Sequence, residues 1–314
     1  MLPPVIAGAG GSAESLAAAM GVAPPPLRQW GRATREAVRR DRPLRLAHTR
    51  NRHPCQGAGE PETAAQQYLA RCALRQAEDR IRRTCPAVEL DDDQIEGPVT
   101  TVLLQAGEQA ARLVLGSRGL SGLTGFPVGS VARGVVARAV WPVVLVRADE
   151  DAADEHLPAD NGSPSSRTGH RDVVLGIDLG DPCDEVIEVI EVAFEAARLR
   201  RARPHIVHAW QALSPIGLGT GGIGRVDGSA QADEWLGFMT AVLQVWQDKY
   251  PEVVVAETVS EGRAQSVLVR AGAGGSPLVV GRRTTERPTG PRTGPVTHAA
   301  IHHAGCPVAV VPHE

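Results

Sequence analysis

The chain has 314 residues, which at ~150 residues per domain points to about two domains. Hydrophobic residues make up 42% and charged residues 22%, enough for a core in each domain. The 33 Lys+Arg against 36 Asp+Glu leave a net charge of −3, without the basic excess expected of a general nucleic-acid binder.

No apolar run approaches the ~18–20 residues needed to cross a bilayer, and the start Met1-Leu2-Pro3-Pro4 lacks the charged and apolar regions of a signal peptide. The expectation is a cytoplasmic protein. Lys249 is the sole lysine, so the P-loop lysine and the kinase strand lysine have no counterpart. Cys55, Cys72, Cys85, Cys183 and Cys306 are scattered without a C-x-x-C pair, which reads as reduced structural thiols rather than a zinc site or a disulfide framework.

In chain order, short β-branched runs alternate with longer stretches of helical spacing, and the series occurs twice. Val5-Ile6-Ala7-Gly8 opens the first copy and is matched by Val173-Val174-Leu175-Gly176. Leu46-Ala47-His48 is matched by Ile206-Val207-His208, Gly97 by Gly262, and Val102-Leu103 by Val267-Leu268. Leu113-Val114-Leu115-Gly116 then falls on Leu278-Val279-Val280-Gly281, Gly129 on Gly294, and Pro142 on Pro307. Such a repeat predicts two copies of one domain, 1–148 and 172–314. Between them, 149–171 is rich in acidic residues and then runs Asn161-Gly162-Ser163-Pro164-Ser165-Ser166, the composition of a solvated, flexible linker and a conceivable phosphorylation target.

The second copy predicts strands at 172–177, 205–210, 252–258, 277–281 and 307–312, and helices near 182–202, 231–249, 263–273 and 296–304. Asp181-Pro182 offers an N-cap and an N1 proline, and Val186, Ile187, Ile190, Ala193, Phe194 and Ala197 define one buried face. In the first copy Pro24-Pro25-Pro26 must split the first helix. The predicted fold class is α/β: two tandem open parallel-sheet domains with helices on both faces, whose ligands lie beyond the strand carboxyl ends where strand order reverses.

The strongest local signal is Gly116-Ser117-Arg118-Gly119, nine residues, then Gly129-Ser130 opening a helix. Glycines admit an anion close to the backbone, the helix start offers N–H groups, Ser130 adds a hydroxyl, and Arg118 adds charge. A glycine-rich connection that merely turns the chain has the same spacing.

Strand, G-x2-G-x9-G-[ST], helix and a Pro-initiated apolar strand resemble the nucleotide loop of the universal stress protein family. Gly176-Ile177-Asp178 and His208-Ala209-Trp210 are similar to the ends of that family's first two strands. The resemblance implies an adenine-nucleotide α-hydrolase-like, Rossmann-like domain that binds ATP, with or without Mg2+, and is not an enzyme. It implies contacts at Gly116, Arg118, Gly119, Gly129, Ser130 and Val131 in the first copy, and at Asp178, Gly281 and Gly294 in the second. It also implies pairing through the final strands, as an intramolecular pseudo-dimer or a homodimer.

The set is divided between the copies. The first has Gly10 where the family has an aspartate, whereas the second keeps Asp178. The second carries Thr284 for a glycine and Pro295 for Ser/Thr, which removes an N–H, although Arg282 and Arg283 offer compensating charge. ATP is therefore expected in the first copy and poorly, if at all, in the second.

Other signals are weaker. Gly8-Ala9-Gly10-Gly11-Ser12-Ala13 fits a dinucleotide fingerprint without its acidic ribose partner, and Gly217–Gly222 reads as a loop. His298, His302 and His303 lack the glutamate of a zinc protease motif, and His48 and His208 suggest a shared structural hydrogen bond. The arginines of 28–52 and Asp91-Asp92-Asp93 read as solvated faces. Three readings result: an ATP-binding stress-response protein acting through partner contacts, a nucleotide-free scaffold, and a slow ATPase or NAD-dependent enzyme.

Overall fold

The computed structural model describes residues 2–9, 27–50, 72, 75–76, 78–117, 128–147, 150–180, 187–211, 228–284 and 293–313. The strands are β1 (Val5–Ala9), β2 (Leu44–Arg50), β3 (Leu90–Glu96), β4 (Arg112–Ser117), β5 (Val143–Arg147), β6 (Val173–Ile177), β7 (Pro204–Trp210), β8 (Ala256–Glu261), β9 (Leu278–Arg283) and β10 (Val308–His313). The helices are α1 (Leu27–Arg40), α2 (Val99–Gly107), α3 (Ser130–Val136), α4 (Ile187–Arg200), α5 (Gly228–Lys249), α6 (Ala264–Gly272) and α7 (Pro295–His303), with residues 78–84 also helical. None of these helices is long and apolar enough to cross a membrane.

All the strands form one sheet of ten, in the order β3-β2-β1-β4-β5-β10-β9-β6-β7-β8. Pairing is parallel within each half and antiparallel only where β10 meets β5, with Ala309 opposite Val144. The carboxyl ends of the two halves therefore lie at opposite ends of the sheet. Because β5 and β10 each have neighbours on both sides within the chain, the homodimer expected through the final strands has no edge to form on. The free edges are β3 and β8. Asp91 and Asp92 are exposed on the first and Glu261 on the second, charges that oppose further strand addition.

Alternation along the strands feeds two apolar layers. Val5, Ala7, Val114, Leu175, Val279 and Val311 face one layer with α1, α4 and α5. Ile6, Leu113, Leu115, Val280, Val308 and Val310 face the other with α2, α3, α6 and α7. Both layers run across the halves, so the two domains share their cores. The repeat is visible in packing detail. A Cβ on Gly8 would lie 2.6 Å from Leu103 Cδ2, and one on Gly176 would lie 2.5 Å from Leu268 Cδ1, so each first strand is bare where a leucine of α2 or α6 crosses it. Gly97 and Gly262 have φ of +144° and +145°, a conformation that favours glycine at the turns into those helices.

Three expectations change. The strand predicted at 252–258 is found at Ala256–Glu261, because pairing with β7 runs from His205–Ala256 to Trp210–Glu261. Val253 is instead buried at the end of α5, and Val254 is exposed. Ile190, Ala193, Phe194 and Ala197 line the buried face of α4 as predicted, but Ile187 is exposed. Pro24-Pro25-Pro26, Asp181, Pro182 and Val186 lie outside the described residues.

The third change concerns the linker. Residues 150–171 are an ordered strap over the junction of α1 and α4. Asp151 caps a 3-10 turn at Ala152–Glu155, and His156 and His170 form a β-bridge at the base of the lasso that follows. Leu157 N donates to Gly169 O at 2.8 Å, and Arg171 N to Glu155 O at 2.9 Å. Glu155 is wholly buried. Its carboxylate accepts from Arg35 Nε at 2.5 Å and Arg39 Nη2 at 2.6 Å, and lies 3.2 Å from Arg32 Nη1. Arg32 Nη1 also donates to Glu150 at 3.0 Å and to Ser276 of the second half at 3.4 Å. Arg200 of α4 bonds Glu36 of α1, and Arg40 and Arg112 both reach Glu195 of α4. Arg32, Arg35, Arg39 and Arg40 of α1 are thus charges paired within the fold, not a solvated face.

Burial alone would neutralise such groups; here the partners outweigh it. Desolvation opposes the Arg32 charge, but Glu155, Glu150 and Glu36 raise its pKa. Glu36 and Glu155 are held well below the ordinary carboxylate range despite burial, by Arg200 and Arg32 foremost for the former and by Arg32, Arg35 and Arg39 for the latter. Burial lowers Arg112 and Arg200 to about 10. Glu150 goes the other way: desolvation raises it, and Glu155 adds to that.

Candidate functional site

In each half the strand order reverses once, between β1 and β4 in the first and between β6 and β9 in the second. At such a reversal the connections leave to opposite faces, opening a crevice beyond the carboxyl ends. Gly116 stands at the end of β4, and Gly129, Ser130 and Val131 begin α3. Gly10, Arg118 and Gly119 lie outside the described residues.

Gly129 is the N-cap of α3 in extended conformation, with no side chain bonded back to the helix. The first N–H groups of a helix have no intrahelical acceptor, and their dipoles favour an anion. Arg133 N donates to Gly129 O at 3.0 Å. Ser130 is exposed and Val131 half-buried, while Val128 is buried and anchors the approach.

The second crevice is built differently. Asp178 follows β6 and is exposed, and its Oδ1 accepts from Gly180 N at 3.0 Å in a tight turn. His208, at the equivalent position to His48, is buried. Its Nδ1 lies 3.3 Å from Leu179 N and 3.2 Å from Ile177 O, and its ring lies 4.7 Å from that of Trp235. The structural bond expected of this histidine is therefore present; the side chain of His48 lies outside the described residues.

On the loop side, side chains of the second half pack against or bond the backbone around Gly281. A Cβ on Gly281 would lie 2.6 Å from His313 Nε2, so the imidazole packs on the bare Cα. Thr284 N donates to His313 O at 2.7 Å and its hydroxyl donates to the same oxygen at 3.1 Å. Thr297 Oγ1 donates to Gly281 O at 2.8 Å. Gly294 caps α7, but Pro295 at N1 has no N–H to offer.

Arg282 does not supply the compensating charge expected of it. Its buried guanidinium donates to Ala137 O at 3.1 Å and to Ala139 O, at the end of α3 in the first half. Arg147 does the reciprocal, donating to Ala304 O at 3.2 Å at the end of α7. Each half thus satisfies carbonyls at a helix C-terminus of the other, where positive charge is favoured. Sequence reasoning missed both contacts, since the acceptors across the halves lie more than 140 positions away. His298 and His302 stack on one face of α7 with ring centroids 4.4 Å apart. Among the described residues no group of three or more His, Cys, Asp or Glu could hold a metal ion. Gly217–Gly222 lies outside the described residues.

The match to known proteins covers both halves. The model of the Universal stress protein family matches residues 5–147 and again 169–312. A universal stress protein of Mycobacterium tuberculosis is 30% identical over 315 residues, spanning 98% of this chain and 96% of its own. One from Mycolicibacterium smegmatis is 27% identical over 318 residues, with the same coverage. A universal stress protein crystal structure from Archaeoglobus fulgidus superposes with a TM-score of 0.65 at 14% identity, covering all of both chains. With two successive matches, full-length relatives and one shared fold, the chain belongs to the universal stress protein family as a tandem two-domain member.

Proposed function

We propose that the protein is an ATP-binding, stress-responsive protein that acts by occupancy rather than turnover, with its nucleotide in the first half. The observation that supports this reading is the strand reversal between β1 and β4, where Gly116 lies at the end of β4 and Gly129 precedes Ser130 and Val131 at the start of α3 with no side-chain cap. The phosphates lie on Gly116–Gly119 and Gly129–Ser130, with Arg118 adding charge. Any magnesium ion would come with the triphosphate as its counterion, since Gly10 offers no carboxylate to hold one, unlike Asp178 in the other half. The second half binds nucleotide poorly or not at all, since His313, Thr284, Thr297 and Pro295 occupy or disarm its loop. The β5–β10 junction makes the chain an intramolecular pseudo-dimer, and occupancy tunes partner contacts in the cytoplasm.

Titration of the full chain with labelled ATP tests the assignment. Binding is expected in the wild type, lost in Gly129→Asp, where a carboxylate would occupy the phosphate position, and kept in Gly294→Asp. The second reading is a nucleotide-free scaffold, favoured by Gly10 and by the closure over Gly281. Absence of ATP binding by the wild type establishes that reading instead.

A further inference from the structure

The strap carries two histidines that meet at its base. His156 and His170 are bridge partners whose rings lie 4.1 Å apart between centroids, tilted by 33°. His156 Nδ1 lies 2.6 Å from Thr168 O and is therefore the protonated nitrogen that donates. His170 Nε2 lies 3.1 Å from Arg39 Nη2. A guanidinium has only donors, so His170 must accept here, and a ring nitrogen accepts only when it carries no proton. Arg39 Nη2 in turn holds Glu155 Oε2 at 2.6 Å. One neutral imidazole thus joins the base of the strap to α1.

Every charged neighbour but one opposes a proton on that ring. Arg39 faces it from α1, Arg200 from α4 and His156 from the strap, while Glu155 is already shared among Arg32, Arg35 and Arg39. A protonated His170 would point an N–H at the N–H of Arg39 and place a cation against a stacked imidazole.

We propose that the strap is an acid-operated latch: a proton on His170 breaks its bond from Arg39, releases residues 150–171 from α1, and opens the buried arginine–glutamate seam between the two halves. Burial first, then Arg39 and His156, push the His170 pKa down to about 4. The folded value lies below the ordinary 6.5, so the latch is fully engaged above pH 6.5 and weakens as pH falls from there toward 4. At pH 5 that difference corresponds to about thirtyfold in the opening equilibrium, and solvent screening at a half-exposed ring reduces it to about tenfold.

Amide hydrogen exchange of the full chain, corrected for intrinsic rates at pH 7.5 and pH 5.0, reads the opening directly. Exchange in peptides covering 150–171 is expected to speed up about tenfold at the lower pH, with β4 and β9 unchanged. The variant His170→Gln keeps an acceptor oxygen for Arg39 but cannot titrate, and its strap should exchange alike at both pH values. Glu150→Gln should retain the wild-type pH response, which separates the histidine from the nearby carboxylate. Equal strap protection in the wild type at the two pH values, or an undiminished response in His170→Gln, overturns the proposal. So does a His170 pKa at or above 6.5 by NMR titration of the native chain, a measurement that does not depend on any variant folding.

Discussion

Replacing Glu155 by glutamine removes one negative charge at nearly constant volume from the centre of the junction. The carboxylate has no exposure, two hydrogen bonds of 2.5 and 2.6 Å, and a third arginine at 3.2 Å. Removing one partner of a buried ion pair costs about 3–5 kcal/mol, because the remaining charge stays out of water. Arg35 and Arg39 are 27% and 13% exposed and regain some hydration, whereas Arg32 is at 0% and keeps Glu36, Glu150 and the Ser276 hydroxyl. The lower end, about 3 kcal/mol, is therefore expected. With a urea slope of about 3 kcal/mol/M, the unfolding midpoint should fall by about 1 M at pH 7. The pH dependence adds a second constraint. The folded Glu155 pKa lies below its ordinary 4.5, so its contribution is complete above that pH and is lost as pH falls. The gap between wild type and variant should close in acid. A midpoint shift under 0.3 M, roughly 1 kcal/mol at that slope, or a gap constant from pH 7 to pH 4, would refute the idea that the carboxylate is both buried and indispensable to Arg32.

Three further outcomes follow from the packing. Gly107→Ala would drive a methyl group into the ring of Trp141 and should cost about 1–3 kcal/mol, while Gly237→Ala on exposed α5, with nothing within 4 Å, should gain about 0.5–1 kcal/mol; paired thermal melts check both. Arg282→Ala leaves the carbonyls of Ala137 and Ala139 without their buried donor, and chemical denaturation should show a loss of about 1–3 kcal/mol that Arg282→Lys does not fully restore. Combining His313→Ala with Pro295→Ser clears the face of Gly281 and restores an N–H at the start of α7. Calorimetry with ATP should then show added binding in a Gly129→Asp background, and no heat in that background means the second crevice is closed by more than these two residues.

The repeat was readable because its periodic glycines answer to local geometry. Gly97 and Gly262 share a turn conformation, and Gly8 and Gly176 share a leucine contact, so the same residue recurs wherever the same backbone approach recurs. The strand at Ala256–Glu261 was displaced in the sequence reading by the apolar run Val253-Val254-Val255, since periodicity cannot tell a residue packed under a helix end from one in a ladder. The burial of Glu150 and Glu155 is not legible in the sequence for a deeper reason. Acidic composition implies solvation only if the charges lack partners, and the partners of Glu150 and Glu155 lie more than a hundred positions upstream, on α1. The same distance hid Arg147 and Arg282. The glycine spacing from Gly116 to Gly129 is visible in the sequence, but not the imidazole that packs on Gly281, because His313 reaches it only through the pairing of β10 with β9.

The single antiparallel seam between β5 and β10 also fixes how the two halves relate. The two strand reversals therefore sit toward opposite ends of one sheet, and any influence of one on the other runs through the apolar layers that both halves share.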